Sequence, residues 1–126
     1  GAPNQASVEG QVAARWDDGS LYLSVRGAFA YGVSRQLKEV YDALGALPSK
    51  CRVVVDLTRV HYLDSVALGM LLLMREEAAS MLLRVQAPSV AKVLEVAQFH
   101  RHFELQNLSE PRDRSPAPRS CPTRGG

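Results

Sequence analysis

Two residues in this chain have the chemistry of a regulated site: Asp64 and Ser65, standing between a β-branched run and a long helix-forming one. The run Arg52-Val53-Val54-Val55-Asp56-Leu57 predicts a buried strand over 52–57. Behind Asp64, a preferred N-cap residue, Val66-Ala67-Leu68-Gly69-Met70-Leu71-Leu72-Leu73-Met74 predicts a helix at roughly 65–79. The Ser65 hydroxyl then sits in the first helical turn. Unpaired backbone N–H groups and the positive end of the helix dipole meet there, so an anion, phosphate included, is favoured. Taken alone, such an Asp-Ser pair is most often a helix cap and nothing more.

The other reactive side chains are scattered. Asp56 ends the strand, and a loop from Asp56 to Ser65 is expected beyond the carboxyl ends of the strands, where α/β sheets collect functional groups. Asp56 and Asp64 would there form a carboxylate pair, the raw material of acid–base work or Mg²⁺ binding. Only two acids converge, however, and no histidine, lysine or third ligand has a defined place beside them. Thr58 reads as a turn residue and His61 as a loop or packing residue. His100 and His102 are spaced to share one face of a strand but have no further ligands nearby. There is no Gly-rich phosphate loop, no Gly-x-Ser-x-Gly and no Cys-x-x-Cys. No metal, no cofactor and no catalytic set of nucleophile, base and oxyanion donors is expected, so an enzyme is the reading with least support.

The elements that must hold Ser65 come from an ordinary globular composition. The 126 residues are 46% hydrophobic and 22% charged, which suits one domain with a real core. The apolar run Val66 to Met74 is far short of the roughly 20 residues that span a bilayer, so no membrane insertion is expected. Cys51 opens the buried strand and Cys121 lies in a Pro-rich tail, a pair unsuited to a disulfide and suited to a reducing, cytoplasmic setting. The net charge of +2 resides in that tail, where Arg112, Arg114, Arg119 and Arg124 outnumber Glu110 and Asp113. A neutral body with few aromatics argues against a nucleic-acid partner.

Along the chain, residues 1–7 read as a flexible N-terminus, in part a cloning remnant. Residues 8–16 form a loose strand weakened by Gly10, Asp17-Asp18-Gly19-Ser20 a turn, and Leu21, Leu23 and Val25 the buried side of a second strand. Gly27 to Gly32 is a loop. Val33, Leu37, Val40, Tyr41, Leu44 and Leu47 then recur at helical spacing, up to Pro48. After the central strand and helix come a strand at 82–86 and a helix at 90–98 capped by Ser89. A last edge strand at Phe103-Glu104-Leu105 follows, and residues 108–126 form a disordered tail. The order β-β-α-β-α-β-α-β predicts a single α/β domain over 8–107. It has a mixed sheet with parallel βαβ crossovers and helices packed on it.

Within the central helix, Ala67, Leu71, Met74 and Ala78 make one apolar stripe expected to face the sheet. Ser65, Gly69, Leu72 and Glu76 lie about half a turn away, with Leu68 beside them. Either a neighbouring helix covers Leu68 and Leu72, or they form a docking patch around the serine.

Val53-Val54-Val55-Asp56-Leu57 followed by Tyr62-Leu63-Asp64-Ser65-Val66-Ala67-Leu68-Gly69-Met70-Leu71 resembles the STAS domain of anti-sigma factor antagonists, and the likeness covers roughly residues 20–106. Val66-Ala67 stands where that family usually has Ser-Gly, and the Ala78–Met81 segment is shorter than usual. The resemblance implies a non-enzymatic switch. Ser65 would be the phosphate acceptor, Asp64 and Asp56 would support it, and Leu68, Gly69 and Leu72 would meet the partner. The implied partners are a GHKL-type serine kinase that is also the anti-sigma factor, and a PP2C-type phosphatase. Two alternatives stand beside it. One is a constitutive STAS subunit of a transporter or signalling assembly, with Ser65 only a cap; the other, less supported, is a small-ligand or nucleotide sensor.

Overall fold

The computed structural model describes residues 10–108. Five strands, β1 (Gln11–Asp17), β2 (Ser20–Phe29), β3 (Arg52–Leu63), β4 (Ser80–Val85) and β5 (Glu104–Asn107), lie side by side in sequence order. The pair β1–β2 is antiparallel and the other three pairs are parallel. Each parallel step is a crossover through a helix: α1 (Ser34–Gly45), α2 (Ser65–Glu77) and α3 (Pro88–Val96). Three right-handed crossovers running in one direction put all three helices on one face of the sheet. The expected mixed sheet of βαβ units is therefore present.

Burial follows from this one-sided layering. Leu21, Leu23 and Val25, then Val53, Val55 and Leu57, then Met81, Leu83 and Val85 all point to the helices and are buried. The helices answer with Leu37 and Leu44 from α1, Ala67, Leu71 and Met74 from α2, and Val90 and Leu94 from α3. The opposite face carries Tyr22, Arg52, Asp56, Leu82 and Arg84 over an open concavity of about 590 Å³.

Several elements differ from their sequence expectation, β4 starting at Ser80 and β5 running over Glu104–Asn107 among them. The central strand does not stop at Leu57 but runs on to Leu63, so the expected loop from Asp56 to Ser65 is mostly strand. Its pairing with β2 slips twice, once between Ser24 and Arg26 and once between Gly27 and Ala28. The inserted residues break the period-two alternation that would have marked a strand. β2 likewise continues through the expected loop residues Gly27 and Ala28 to Phe29. α3 starts at Pro88, with Ala87 as N-cap and no side-chain cap, so Ser89 is inside the first turn. Proline at the first helical position needs no N–H and presets φ, which makes the serine cap unnecessary. β1 begins at Gln11, and the Asp18-Gly19 turn has positive φ at both residues (56° and 80°). That is the two-residue type I′ geometry of tight hairpins. The expected flexible N-terminus, residues 8 and 9 and the tail beyond Leu108 lie outside the described residues.

Candidate functional site

β3 delivers the site. Its bulged extension reaches Leu63, paired with Phe29 at the end of β2, and the next residue turns the chain into α2. Asp64 is extended (φ −114°, ψ −175°), as an N-cap should be, and its carboxylate accepts the Ala67 N–H at 2.9 Å. Its own N–H donates to the Phe29 carbonyl at 3.3 Å, and its carbonyl accepts from Leu68 N–H at 3.1 Å. Asp64 is thus pinned by sheet and helix together, and it fixes where Ser65 stands. Ser65 is the first residue of α2 and is exposed. Its hydroxyl lies at a helix start where one N–H is already taken by a carboxylate and the dipole favours further negative charge.

Around the serine the surface is apolar. Ala67, Leu71, Met74 and Ala78 are buried beneath, as the stripe predicts. Above them Leu72 is 39% exposed, Gly69 is exposed with open space where a Cβ would stand, and Leu68 is half-buried against the core. Among the described residues no neighbouring helix closes over Leu72. Two further side chains of α2 were not singled out by the sequence pattern: Val66 is 39% and Leu73 49% exposed. Leu73 and Met70 continue into a groove of about 520 Å³ between α1 and α2, floored by Leu37 and Met74 and walled by Tyr41. The signal for this flank was present in the wheel, since positions 66, 70 and 73 repeat at helical spacing beside the buried stripe. It was masked because a helix apolar nearly all round reads as core.

Asp56 is not part of this site. It lies eight residues upstream, on the order of 20 Å along an extended strand, and on the open face of the sheet. There it accepts from Thr58 N–H at 2.9 Å and Thr58 hydroxyl at 2.6 Å, with Arg84 at 3.7 Å. The two aspartates form no pair, and Asp56 is linked to the serine only through β3, the strand that leads into α2. Thr58 is turned to that face with it. His61 is exposed on β3. His100 lies in a short 3₁₀ turn (Phe99–Arg101) with His102 just after it, rather than on a strand. Among the described residues no three His, Cys, Asp or Glu side chains gather as a metal site would require. No described helix is long and apolar enough to cross a membrane.

A family model described as "Mlab, STAS domain" matches residues 12–110. A STAS-domain containing protein of Pseudomonas aeruginosa (strain UCBPP-PA14) is 36% identical over 93 residues, covering 71% of this chain and 90% of that relative. The fold is similar to that of an anti-sigma factor antagonist from Mycobacterium paratuberculosis, with a TM-score of 0.68 and 21% identity over 90% of this chain and 93% of the other. It is similar also to the anti-sigma factor antagonist SpoIIAA in its unphosphorylated form (TM-score 0.62, 14% identity, 83% and 92% covered). The phosphorylated form of the Bacillus SpoIIAA gives a TM-score of 0.56 at 13% identity, covering 83% and 96%. These last likenesses are likenesses of fold.

Proposed function

The chain belongs to the STAS-domain family, and from that premise we propose that it is a non-enzymatic anti-sigma factor antagonist switched off by phosphorylation of Ser65. The observation that carries this reading is one exposed hydroxyl, at the start of α2, beside the exposed apolar side chains Val66, Leu72 and Leu73. A serine kinase of the GHKL type, acting also as the anti-sigma factor, docks on that surface in the cytoplasm, and a PP2C-type phosphatase restores it. Phosphate adds about −1.5 to −2 charges to an interface built for a neutral hydroxyl. No core residue moves, because Ser65 buries nothing: blocking the docking surface is enough. Leu68 and Gly69, on the same turn, belong to the contact; Asp64 holds the serine in place.

A second reading is favoured by Ala67, which stands where the family usually has glycine. It is fully buried, with its N–H bonded to the Asp64 carboxylate. A first turn closed so tightly also suits a constitutive STAS subunit of a larger assembly, with Ser65 a plain helix-start residue. Incubation with a GHKL-type kinase from the same organism, plus ATP, followed by mass spectrometry separates the two. The switch requires phosphate on Ser65, an S65A chain that binds the kinase but takes no phosphate, and an S65D chain that folds but binds weakly. Phosphate only elsewhere, or a complex that forms with no modification, makes the constitutive subunit the correct reading.

A further inference from the structure

β1 is an edge strand, and nothing among the described residues covers its outer side. The direction of its free hydrogen-bonding groups follows from the turn. In a two-residue hairpin the residues flanking the turn form a hydrogen-bonded pair, and such pairs alternate along the ladder. With Asp17 opposite Ser20, the pairs Arg15–Tyr22 and Ala13–Ser24 also bond inward. Val12, Ala14 and Trp16 therefore turn their N–H and C=O groups outward. None of the usual blocks to edge pairing occurs here: β1 contains no proline and no bulge, and its one cation, Arg15, is held by Asp17 at 3.2 Å.

The same three residues carry apolar side chains on the helix side of the sheet. Trp16, the chain's only tryptophan, is 50% exposed. With Val12 and Ala14 it lines a groove of about 330 Å³ beneath the α1 residues Gln36, Val40 and Ala43. Glu39 is the one charged side chain that lines this groove; Arg35, Lys38 and Asp42 of α1 do not line it.

We propose that this edge pairs with the same edge of a second copy, antiparallel about a two-fold axis through Ala14, to make one continuous ten-stranded sheet. The register makes the strand self-complementary. The smallest side chain faces itself at the axis, and Val12 faces the second copy's Trp16 on each side. About six backbone hydrogen bonds form across it, two for each facing pair. On the other face Arg15 meets Ala13 and Asp17 meets Gln11, so no like charges stand directly opposite. The two Arg15 side chains are diagonal neighbours, but each is neutralised by its own Asp17 and stacked on its own Tyr22, 4.7 Å from the ring centre. Trp16 gains the apolar cover it lacks in one chain. The Ser65 surface, on α2 and away from this edge, stays open in the pair, so the inference does not depend on the proposed switch.

The test is sedimentation velocity of the full chain from about 1 to several hundred μM, together with amide exchange. A species of twice the chain mass is expected to form with rising concentration, with slowed exchange at Val12, Ala14 and Trp16. A14P removes an outward N–H at the axis while leaving the bonds to β2 in place. W16K puts a charge where the two edges meet. Each is expected to weaken the dimer at least tenfold while retaining the circular dichroism of the folded chain. A chain that stays monomeric throughout, or a dimer that survives both variants or leaves those three amides fast, overturns the proposal.

Discussion

Leu71 and Leu72 are neighbours in sequence with opposite surroundings, and the contrast can be weighed. Leu71 is fully buried between α2 and the sheet. Truncation to alanine removes about three methylene equivalents, roughly 2.4 kcal/mol of transfer free energy. The walls of the cavity are a helix and strands that cannot collapse into it, so the total loss is about 3–4 kcal/mol. Leu72 is 39% exposed, and water refills whatever a smaller side chain vacates, so no cavity term arises. Leu72→Ser then loses part of the transfer term plus a few tenths for helix propensity, about 1 kcal/mol in all. In urea the Leu71→Ala midpoint falls by on the order of 2 M and the Leu72→Ser midpoint by less than about 1 M. Titration calorimetry against the proposed kinase partner is expected to give the reverse order: Leu72→Ser weakens binding about tenfold or more, and Leu71→Ala, where still folded, leaves it nearly intact. Equal destabilisation by both substitutions refutes the assignment of Leu72 to the surface. Unchanged affinity of Leu72→Ser refutes the docking patch.

The cap, the hairpin approach and the β3–β5 ion pair give three further expectations. Asp64→Ala removes the carboxylate that takes the Ala67 N–H. It costs about 1 kcal/mol in urea unfolding, while Asp64→Asn, which keeps an acceptor, costs less. Gly10→Ala drives a Cβ into the Ala28 carbonyl oxygen and to 2.8 Å from Val33 Cγ1. A loss of about 1–3 kcal/mol is expected, read as a lowered melting temperature. Glu104 accepts from both terminal nitrogens of Arg52, at 3.1 and 3.2 Å, and this hydrogen bonding holds its carboxyl below the ordinary range. A depressed pKa stabilises the fold above the ordinary carboxylate value and is lost as pH falls through the lowered one. Glu104→Gln therefore flattens the acid limb of a stability profile taken from about pH 6 down to about pH 3, slightly, because the pair is exposed.

What the sequence made legible was whatever depends on local repetition. The alternation at Leu21, Leu23 and Val25 marked β2, and the helical spacing from Leu37 to Leu44 marked α1. The stripe Ala67–Leu71–Met74–Ala78 identified which side of α2 is buried. Asp64 before a helix-forming run gave the cap and hence the position of Ser65. The misplacement of Asp56 has a single cause. Residues 58–62 break the two-residue period, and a break in period reads as a loop. In the fold they pair with β2 at a slipped register, Ser24 with Asp56 but Arg26 with Arg59, then Gly27 with Val60 but Ala28 with Tyr62. A bulge is defined by the partner strand, more than thirty residues earlier in the chain. No local pattern reports it.

Those two slips also explain why the site is where it is. β3 spends two residues more than β2 to cover the same length, which twists and extends it to the very end of its neighbour. Asp64 arrives beside the Phe29 carbonyl, donates to it, and starts α2 from there. Had β3 ended at Leu57, as its β-branched run suggested, Ser65 would hang on a free loop beside Asp56, and its position would be averaged over many conformers. Instead the serine is held by three hydrogen bonds of the preceding residue, to the Phe29 carbonyl of β2 and from the consecutive N–H groups of Ala67 and Leu68 in α2. A backbone held this firmly at the residue before the serine leaves little ordering entropy for binding of the proposed partner to overcome. Because its side chain is exposed and supports no part of the core, added charge there leaves the sheet untouched, as the proposed switch requires.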